Sequence, residues 1–332
     1  MKPQFQKAAL PNTLVITWLL ALSSLATTVF SMPVARAETT GAHPGSPLCE
    51  VTGQKNVIRS PLLSVLTLNL AHGRKDSLNQ MLQRTSTTQR NLQEVANILS
   101  NSNADLVALQ EADHASRWSG QFNHVEYVSS KTPYPCKIHA SHAQKYMYNF
   151  GTALLSRVPF NNSILHTFEP SPPTTNKGFV MGEVLWNPDG RLPEAIPVSV
   201  ISVHLDFSRK KVRKAQTEEM RTILKDIARP VIILGDFNTD WSKDESSLRS
   251  IAESGQLKVY QAESRELGTY KNGKHRLDWI LISNELEFVS YEALEVVLSD
   301  HQPVFATLKL LENSTGEKDS NATVLDPDNQ YE

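Results

Sequence analysis

The chain has 332 residues, with 33 Lys and Arg against 35 Asp and Glu, and a formal net charge of −2 at pH 7. This balance argues against a dedicated nucleic-acid binder, because phosphate neutralisation supplies much of the affinity of such proteins. A local basic stripe, SRKKVRK at residues 208–214, weakens that exclusion.

The N-terminal residues have the pattern of a secretory signal. Lys2 and Lys7 precede the apolar run LVITWLLALSSLATTVFSM (14–32), and Ala35-Arg36-Ala37 follows it. A positive start, an apolar middle and an A-x-A motif predict a signal peptide over residues 1–37 and an exported protein, periplasmic or secreted. The run is also close to the length of a spanning helix, so an uncleaved anchor is the alternative.

Residues 38–60 are rich in Gly, Pro, Ser and Thr, and we predict an N-terminal leader without regular structure. The chain has two cysteines, Cys49 in this leader and Cys136 further along. In an oxidising compartment they could form a disulfide, and two free thiols are the alternative.

Apolar, β-branched runs of strand length then alternate with helical patterns. The predicted strands are residues 62–70, 104–111, 151–157, 198–207, 231–238, 277–283 and 303–310, and the predicted helices are 87–102 and 212–229. Residues 113–150 and 158–178 lack a clear pattern and are predicted to be long loops. Strands mixed with helices, without a break in composition, predict one α/β domain over residues 61–311. Residues 312–332 are polar and acidic and predict a disordered tail.

Polar side chains that can carry chemistry collect where these strands begin or end. They are Asn69, Glu111, His204, Asp236, Asn238, Asp278, Asp300 and His301. Each alone could be a turn, cap or sheet residue, but eight at strand boundaries are too many for independent turns. Converging carboxylates repel unless a cation or histidine lies among them, and oxygen ligands suit Mg²⁺, with Mn²⁺ and Ca²⁺ as alternatives. A divalent ion with histidines suits hydrolysis of a phosphate ester.

The order of these motifs resembles a known family. TLNLAHG, ALQEAD, GTALLSRVPF, SVHLDFSRKKVRKAQ, ILGDFN, RLDWILIS and SDHQPVF are similar, in order, to the blocks of the endonuclease/exonuclease/phosphatase superfamily. This metal-dependent group includes deoxyribonuclease-type nucleases, neutral sphingomyelinases and inositol-phosphate phosphatases. The resemblance covers about residues 62–310 and implies a four-layer α/β sandwich, two packed mixed β-sheets flanked by helices.

The resemblance also implies roles for single residues. It assigns Glu111 as the principal metal ligand, with Asn69 as its helper and Asp300 beside the metal. It assigns Asp236 to the attacking water and Asn238 to holding that water and the phosphate.

The remaining roles fall on histidines. The resemblance implies that His204 and His301 grip the phosphoryl oxygens and assist proton transfer, and that Asp278 orients His301.

The substrate is less determined. Abasic-site endonucleases of the superfamily lack a histidine at the position of His204, and Arg213 and Gln216 after it look similar to the sphingomyelinase side. The alternative is that both belong to a structural helix. We therefore expect a monomeric phosphodiesterase acting on lipid headgroups, with phospholipid at a membrane surface as its partner. A secreted nuclease that binds nucleic acid is the alternative, and a non-catalytic binding module on the same fold is a third hypothesis.

Overall fold

The computed structural model describes residues 43–44, 48–49, 56–190, 195–227, 229–243 and 246–311. The predicted signal peptide, most of the leader and the predicted tail lie outside the described residues. Within the described ranges, no helix combines the length and apolar character needed to cross a bilayer.

Sixteen strands and four α-helices form the described part of the chain. The strands are β1 (His43–Pro44), β2 (Leu48–Cys49), β3 (Val57–Ile58), β4 (Leu63–Asn69), β5 (Leu106–Asp113), β6 (Cys136–His139), β7 (Ala143–Lys145), β8 (Tyr148–Ser156), β9 (Asn162–Thr167), β10 (Gly178–Trp186), β11 (Ile196–His204), β12 (Val231–Asp236), β13 (Leu257–Val259), β14 (Asp278–Ser283), β15 (Leu286–Ala293) and β16 (Val304–Leu310). The helices are α1 (Thr85–Ser102), α2 (His124–Ser129), α3 (Lys210–Leu224) and α4 (Ser247–Gly255).

The strands form two mixed sheets. The first has the order β1-β9-β10-β11-β12-β14-β13, with β3 beside β10, and the second has the order β15-β16-β4-β5-β8-β6-β2, with β7 beside β8. The pairs β11–β12 and β4–β5 are parallel, whereas β12–β14 and β16–β4 are antiparallel. Each sheet therefore mixes both directions, as the resemblance implied.

Alternation along the strands separates three apolar layers. In β4, Leu63 and Val65 face a core shared with the first sheet, while Leu66 and Leu68 pack with α1. The same rule holds in β12, where Ile233 packs with α3 and α4 on the outer face of the first sheet. Because successive side chains of a strand point to opposite faces, each sheet is apolar on both sides and is covered on both. The predicted sandwich of two sheets flanked by helices is confirmed.

Several elements differ from the sequence-based prediction. The predicted helix 212–229 is α3, which begins at Lys210 and ends at Leu224, ahead of Pro230, a residue that cannot continue a helix. The prediction of loops at 113–150 and 158–178 is wrong in part, because these segments contain α2, β6, β7, the start of β8, and β9. Short elements with mixed polarity give weak periodicity, so the sequence did not reveal them.

The two cysteines form a disulfide. Cys49 in β2 is bonded to Cys136 in β6, and the two residues are directly opposite in the antiparallel pair. Of the two alternatives left open by the sequence, the structure has the bonded one.

Candidate active site

The register of three strands brings the predicted residues to one sheet edge. His204, at the end of β11, is opposite Asp236, at the end of the parallel strand β12. Asp236 is in turn opposite Asp278, the first residue of the antiparallel strand β14. A strand that starts at this edge therefore places its first side chain beside the last side chains of its neighbours.

Asp236 lies at the centre of the cluster and is buried. Its Oδ2 is 3.0 Å from Asn69 Nδ2, which donates to it, and 3.5 Å from His204 Nε2. Burial and the neighbouring Asp278 raise the pKa of Asp236 to about 7, against the lowering effects of His301 and of hydrogen bonds from Asn69 and Asn238. A carboxyl group with such a pKa can accept a proton near neutral pH.

Asp278 fixes the ring of His301. The two side chains share a hydrogen bond of 2.8 Å between Nδ1 and Oδ2, and Thr269 Oγ1 donates to the same oxygen at 2.6 Å. Burial would lower the pKa of His301, but Asp278 and Asp236 raise it to about 10. The ring is thus held as an imidazolium whose Nε2 lies 3.9 Å from Asp236 Oδ2.

Glu111 projects from an irregular position in β5. Its φ is +47°, and the pairing of β5 with β8 shifts register between Leu109 and Ala112. One carboxylate oxygen lies 3.3 Å from His72 Nε2, and the other lies 3.9 Å from His204 Nε2. Burial acts to raise the pKa of Glu111, but the charges of His72, Lys177 and His301 outweigh it and lower the pKa. Glu111 is therefore an ionised carboxylate.

The pKa of His204 is shifted in the opposite direction from the pKa of His301. Burial, together with the charges of Lys177 and His301, holds the pKa of His204 well below its usual value. One histidine of the pair is therefore neutral and the other is charged, and they flank the same carboxylate, Asp236.

Asn238 and Asp300 occupy the rim of the cluster. Asn238 has a φ of +51°, and its Nδ2 donates to the carbonyl of Leu205 at 3.0 Å. Asp300 Oδ2 is 2.5 Å from Arg74 Nη2, so this carboxylate is paired with a guanidinium. The structure brings seven of the eight predicted residues into one set of contacts around Asp236 and Glu111, and it connects Asp300 to Arg74.

A buried pair behind Glu111 was not predicted from the sequence. His72 Nδ1 lies 2.9 Å from Asp113 Oδ2, and its other nitrogen faces Glu111. Asp113 also accepts hydrogen bonds from Ser116 and from Trp118 Nε1. The signal in the sequence was an aspartate two residues after Glu111, since alternate residues of a strand share a face.

Lys177 was also missed. It is buried and precedes Gly178, whose backbone is opposite His204. A Cβ at Gly178 would lie 2.2 Å from the carbonyl oxygen of His166, so only glycine fits this close approach. Burial lowers the pKa of Lys177, while Glu111 and Asp236 act in the other direction. No carboxylate of a described residue lies within 4.0 Å of its ammonium.

Arg213 and Gln216 hold backbone. Arg213 Nη1 donates to the carbonyl of Asp206 at 2.9 Å. Gln216 Oε1 accepts from the backbone N–H of Asp206 at 2.8 Å. Both side chains of α3 therefore fix the turn that follows His204. These contacts correspond to the structural alternative for the pattern.

A cavity of about 340 Å³ opens beside Asn238. Its lining is Lys210, Arg213, Asn238, Thr239, Asp240, Lys243, Ser247, His275 and Leu277. Three of these residues are Lys or Arg and one is an aspartate, so the cavity favours an anionic group next to the cluster.

The side chains present fit a hard divalent cation. Asp236, Asp278 and His301 each offer an atom within 4.8 Å of the others, but Asp278 and His301 are already bonded to each other. Asp278 Oδ1 is buried without a hydrogen-bond partner among the described residues. Glu111 is the better ligand, because its carboxylate is ionised and partly open to solvent. Oxygen donors of this kind suit Mg²⁺, Mn²⁺ or Ca²⁺.

One family model matches most of the chain. The model of the Endonuclease/Exonuclease/phosphatase family matches residues 66–301. No protein among the curated ones matches the sequence.

Solved structures share the fold at low identity. An endonuclease/exonuclease/phosphatase from Bacteroides vulgatus superposes with a TM-score of 0.59 at 18% identity, covering 75% of this chain and 99% of that one. Sphingomyelinase C from Streptomyces griseocarneus gives 0.52 at 17% identity, over 75% and 99% of the two chains. The human Nocturnin catalytic domain with bound sulfate gives 0.56 at 20% identity, over 76% and 96%.

Proposed function

This chain belongs to the endonuclease/exonuclease/phosphatase family, and from that premise we propose that it is an exported, Mg²⁺-dependent phosphodiesterase of lipid headgroups. Members of the family are phosphate-ester hydrolases, and this chain has their fold. We further propose that it acts as a monomer after removal of residues 1–37.

One observation carries the proposal. The ion pair of His301 with Asp278 lies against Asp236, whose pKa of about 7 suits a general base. A charged acid and a proton acceptor thus occupy one buried sheet edge, an arrangement that is concentrated at catalytic sites.

The residues divide the chemistry between them. Asp236 takes a proton from the water that attacks phosphorus, and the imidazolium of His301 delivers its Nε2 proton to the leaving oxygen. Asp278 holds the ring in that orientation and stabilises its positive charge through Nδ1. His204, held neutral, donates one hydrogen bond to the phosphoryl group without competing for the base.

The divalent ion would neutralise charge that develops on the phosphoryl oxygens. Glu111 would hold it, with Asn69 and Asp300 alongside. Asn69 Oδ1 already accepts from the N–H of Ala71 at 2.9 Å, which orients the amide and leaves one lone pair of the carbonyl. Asp300, which is paired with Arg74, would add its negative charge beside the ion.

A lipid headgroup is favoured by two features. The chain has no overall basic excess, and the fold superposes on a sphingomyelinase C. A secreted nuclease is the second candidate, because the cavity beside Asn238 is lined by Lys210, Arg213 and Lys243, which could hold the next phosphate of a polyanion.

Hydrolysis assays would test the proposal. The full chain, with Mg²⁺, is given sphingomyelin, glycerophospholipids, plasmid DNA, RNA and small phosphomonoesters, with EDTA as the metal control. His301→Ala should lower kcat by roughly 10²–10⁴-fold, since general acid–base catalysis contributes about that much. Lys309→Ala is the control, because this exposed lysine in β16 lies outside both the cluster and the neighbouring cavity.

The outcomes separate the candidates. Lipid turnover that EDTA and His301→Ala both abolish supports the phosphodiesterase. Cleavage of nucleic acid alone would replace it with the nuclease, and turnover that survives His301→Ala would contradict the assignment of the site.

Export has its own test. N-terminal sequencing of the protein recovered outside the cytoplasm should begin at Glu38. A chain that still begins at Met1 and sediments with membranes would indicate the uncleaved anchor.

A further inference from the structure

Exposed apolar side chains are concentrated on two loops. Five of the eight large apolar side chains that are exposed among the described residues are Leu78, Met81, Leu82, Tyr146 and Met147. We call these five residues the apolar rim. Leu78 is fully exposed, and Leu82 and Tyr146 are 84% and 75% exposed. Scattered exposed apolar residues need no explanation, but such a concentration marks an interaction site.

The first loop is held in shape by its own hydrogen bonds. Gln83 Nε2 reaches back to the carbonyl of Arg74 and to Ser77 Oγ, both at 2.8 Å. Asn79 Oδ1 accepts from the N–H of Met81 at 2.9 Å and caps the short turn Gln80–Leu82. These hydrogen bonds therefore hold the loop in a conformation that exposes Leu78 and Leu82 to solvent.

The second loop joins β7 to β8 and is also anchored. The N–H of Trp118 donates to the carbonyl of Met147 at 3.1 Å, and the guanidinium of Arg117 lies 4.0 Å from the centre of the Tyr146 ring. The turn Arg117–Ser119 in turn packs against the turn Gln80–Leu82. The two loops thus form one continuous surface.

This surface adjoins the candidate active site. The ring of Trp118 lies 5.0 Å from that of His72, and its Nε1 donates to Asp113 at 3.1 Å. His72 contacts Glu111 at 3.3 Å. Two residues therefore separate the rim from the proposed metal ligand.

The charges around the rim suit an anionic lipid surface. Arg84, Arg117 and Lys145 are exposed on the same two loops and the adjoining turn, against one exposed acid, Asp76. Apolar and aromatic side chains interspersed with Lys and Arg are the composition of segments that lie in a membrane interface. Tyr146 combines an apolar ring with a hydroxyl, which suits the headgroup level.

We propose that the apolar rim docks on a phospholipid membrane and inserts Leu78, Leu82 and Tyr146 between headgroups. The proposal rests on the proposed phosphodiesterase function, because docking there delivers a headgroup to the adjoining site. Insertion explains why these side chains are exposed on well-anchored loops, and the cations explain a preference for anionic lipid.

A probe at a single position tests insertion locally. Leu82→Cys is labelled with an environment-sensitive fluorophore on the full chain; Cys49 and Cys136 are bonded, so the new thiol is the reactive one. Val289→Cys, exposed on the edge strand β15, is the matched control. Vesicles of phosphatidylcholine with phosphatidylglycerol are added in EDTA, so that no turnover interferes. We expect a blue shift at position 82 alone, reduced by salt because exposed charges are screened.

A second experiment measures how the apolar rim affects the turnover of vesicle substrate. Leu78→Ser, Leu82→Ser and Tyr146→Ser combined should lower turnover of vesicle substrate at least about tenfold, because each buried apolar side chain contributes to partitioning. Turnover of a soluble aryl phosphodiester should stay within about twofold, because none of the three residues lies in the reacting cluster. Val289→Ser should change neither rate.

Each outcome decides one proposal. Equal shifts at both labelled positions, or none, would overturn docking by the rim. A shift at position 82 that depends on protein concentration without vesicles would assign the rim to a second copy of the chain. A vesicle-dependent shift without hydrolysis of any phosphodiester would retain the rim and reject the proposed function.

Discussion

The ammonium of Lys177 is a buried positive charge without a carboxylate partner among the described residues. Such a charge is costly unless a ligand or water satisfies it, and the nearby rings of Phe150 and Phe207, at 5.7 and 6.0 Å, compensate only in part. Its position beside His204 and Glu111 makes a phosphoryl oxygen the natural partner.

We expect Lys177→Met to lower kcat/KM by roughly 10²–10³-fold, the usual loss when one donor to a developing charge is removed. Thermal stability should stay the same or rise, because a desolvated charge is removed. Lys177→Arg should recover part of the activity, and Lys309→Met, on the exposed end of β16, is the control. A stable Lys177→Met variant with full activity would contradict the assignment.

The buried histidine His142 predicts how stability depends on pH. His142 is bonded to Thr167 through Nδ1 and to Thr152 through Nε2, and burial, followed by the charges of His166 and Lys177, lowers its pKa to about 3. The unfolded chain binds this proton below about pH 6.5, and the folded chain does so only near pH 3. Stability is therefore lost as pH falls through this window, by up to about 1.4 kcal/mol per pH unit for one such histidine.

Urea unfolding at pH 7.5, 6 and 5 measures this slope. His142→Gln keeps a polar side chain at the site. Between pH 6.5 and 5 it should reduce the slope of the unfolding free energy against pH by the equivalent of up to one proton. Above pH 6.5 the two curves should run parallel. Identical slopes in the acid range would show that His142 takes up its proton in the folded state.

At the scale of the elements, the approach of β12 to β11 decides where Asp236 lies. Gly235 has a φ of +148°, and a Cβ there would be 2.1 Å from the carbonyl oxygen of Val203. In the pairing of β11 with β12, Gly235 lies opposite Val203, and the next two opposed residues are His204 and Asp236. A side chain at position 235 would push apart the strands that align these two residues.

We therefore expect Gly235→Ala to reduce both folding yield and activity strongly. Gly190→Ala is the matched control, because Gly190 also has positive φ, +66°, but has nothing within 4 Å of the added Cβ. It should cost only the backbone term, roughly 1–2 kcal/mol. Circular dichroism and phosphodiester turnover of both variants would compare the two, and a folded, active Gly235→Ala would show that the strands can separate without harm.

Elements with a continuous apolar run were predictable, and elements with an interrupted pattern were not. Continuous apolar runs predicted β4, β5, β12, β14 and β16 within one or two residues, because strands buried on both faces are apolar throughout. The strand β10 was not predicted from the sequence, although it lies inside its sheet. Gly178 and Gly182 interrupt its pattern, and Gly182 is needed because a Cβ there would meet the Phe160 ring at 2.4 Å.

At the scale of the whole molecule, one covalent bond closes a long loop. The Cys49–Cys136 disulfide links residues 87 apart in sequence. Cross-linking restricts the unfolded chain, and a loop of this length corresponds to about 4.6 kcal/mol in the chain-entropy model.

We expect dithiothreitol to lower the melting temperature of the chain by roughly 9–18 °C, at about 2–4 °C per kcal/mol for a protein of this size. A Cys49→Ser, Cys136→Ala double variant should melt at the lower temperature and should not respond to dithiothreitol. An unchanged melting temperature on reduction would mean that the bond adds no stability.

The sequence by itself determined which residues were candidates for the chemistry. Strand-length apolar runs, each bounded by a carboxylate, amide or histidine, and the order of the family's blocks were sufficient to select Glu111, Asp236 and His301. These signals are local, since they depend on a few consecutive residues and on side-chain alternation.

Only the tertiary structure decided which of these residues touch, and which others join them. Asn69 meets Asp236 across 167 positions, and Arg74 meets Asp300 across 226. Lys177 has no local pattern, and it enters the site because β10 pairs beside β11. Contacts of this kind depend on strand register and on the packing of two sheets, which are set by the whole chain and leave no mark in short stretches of sequence.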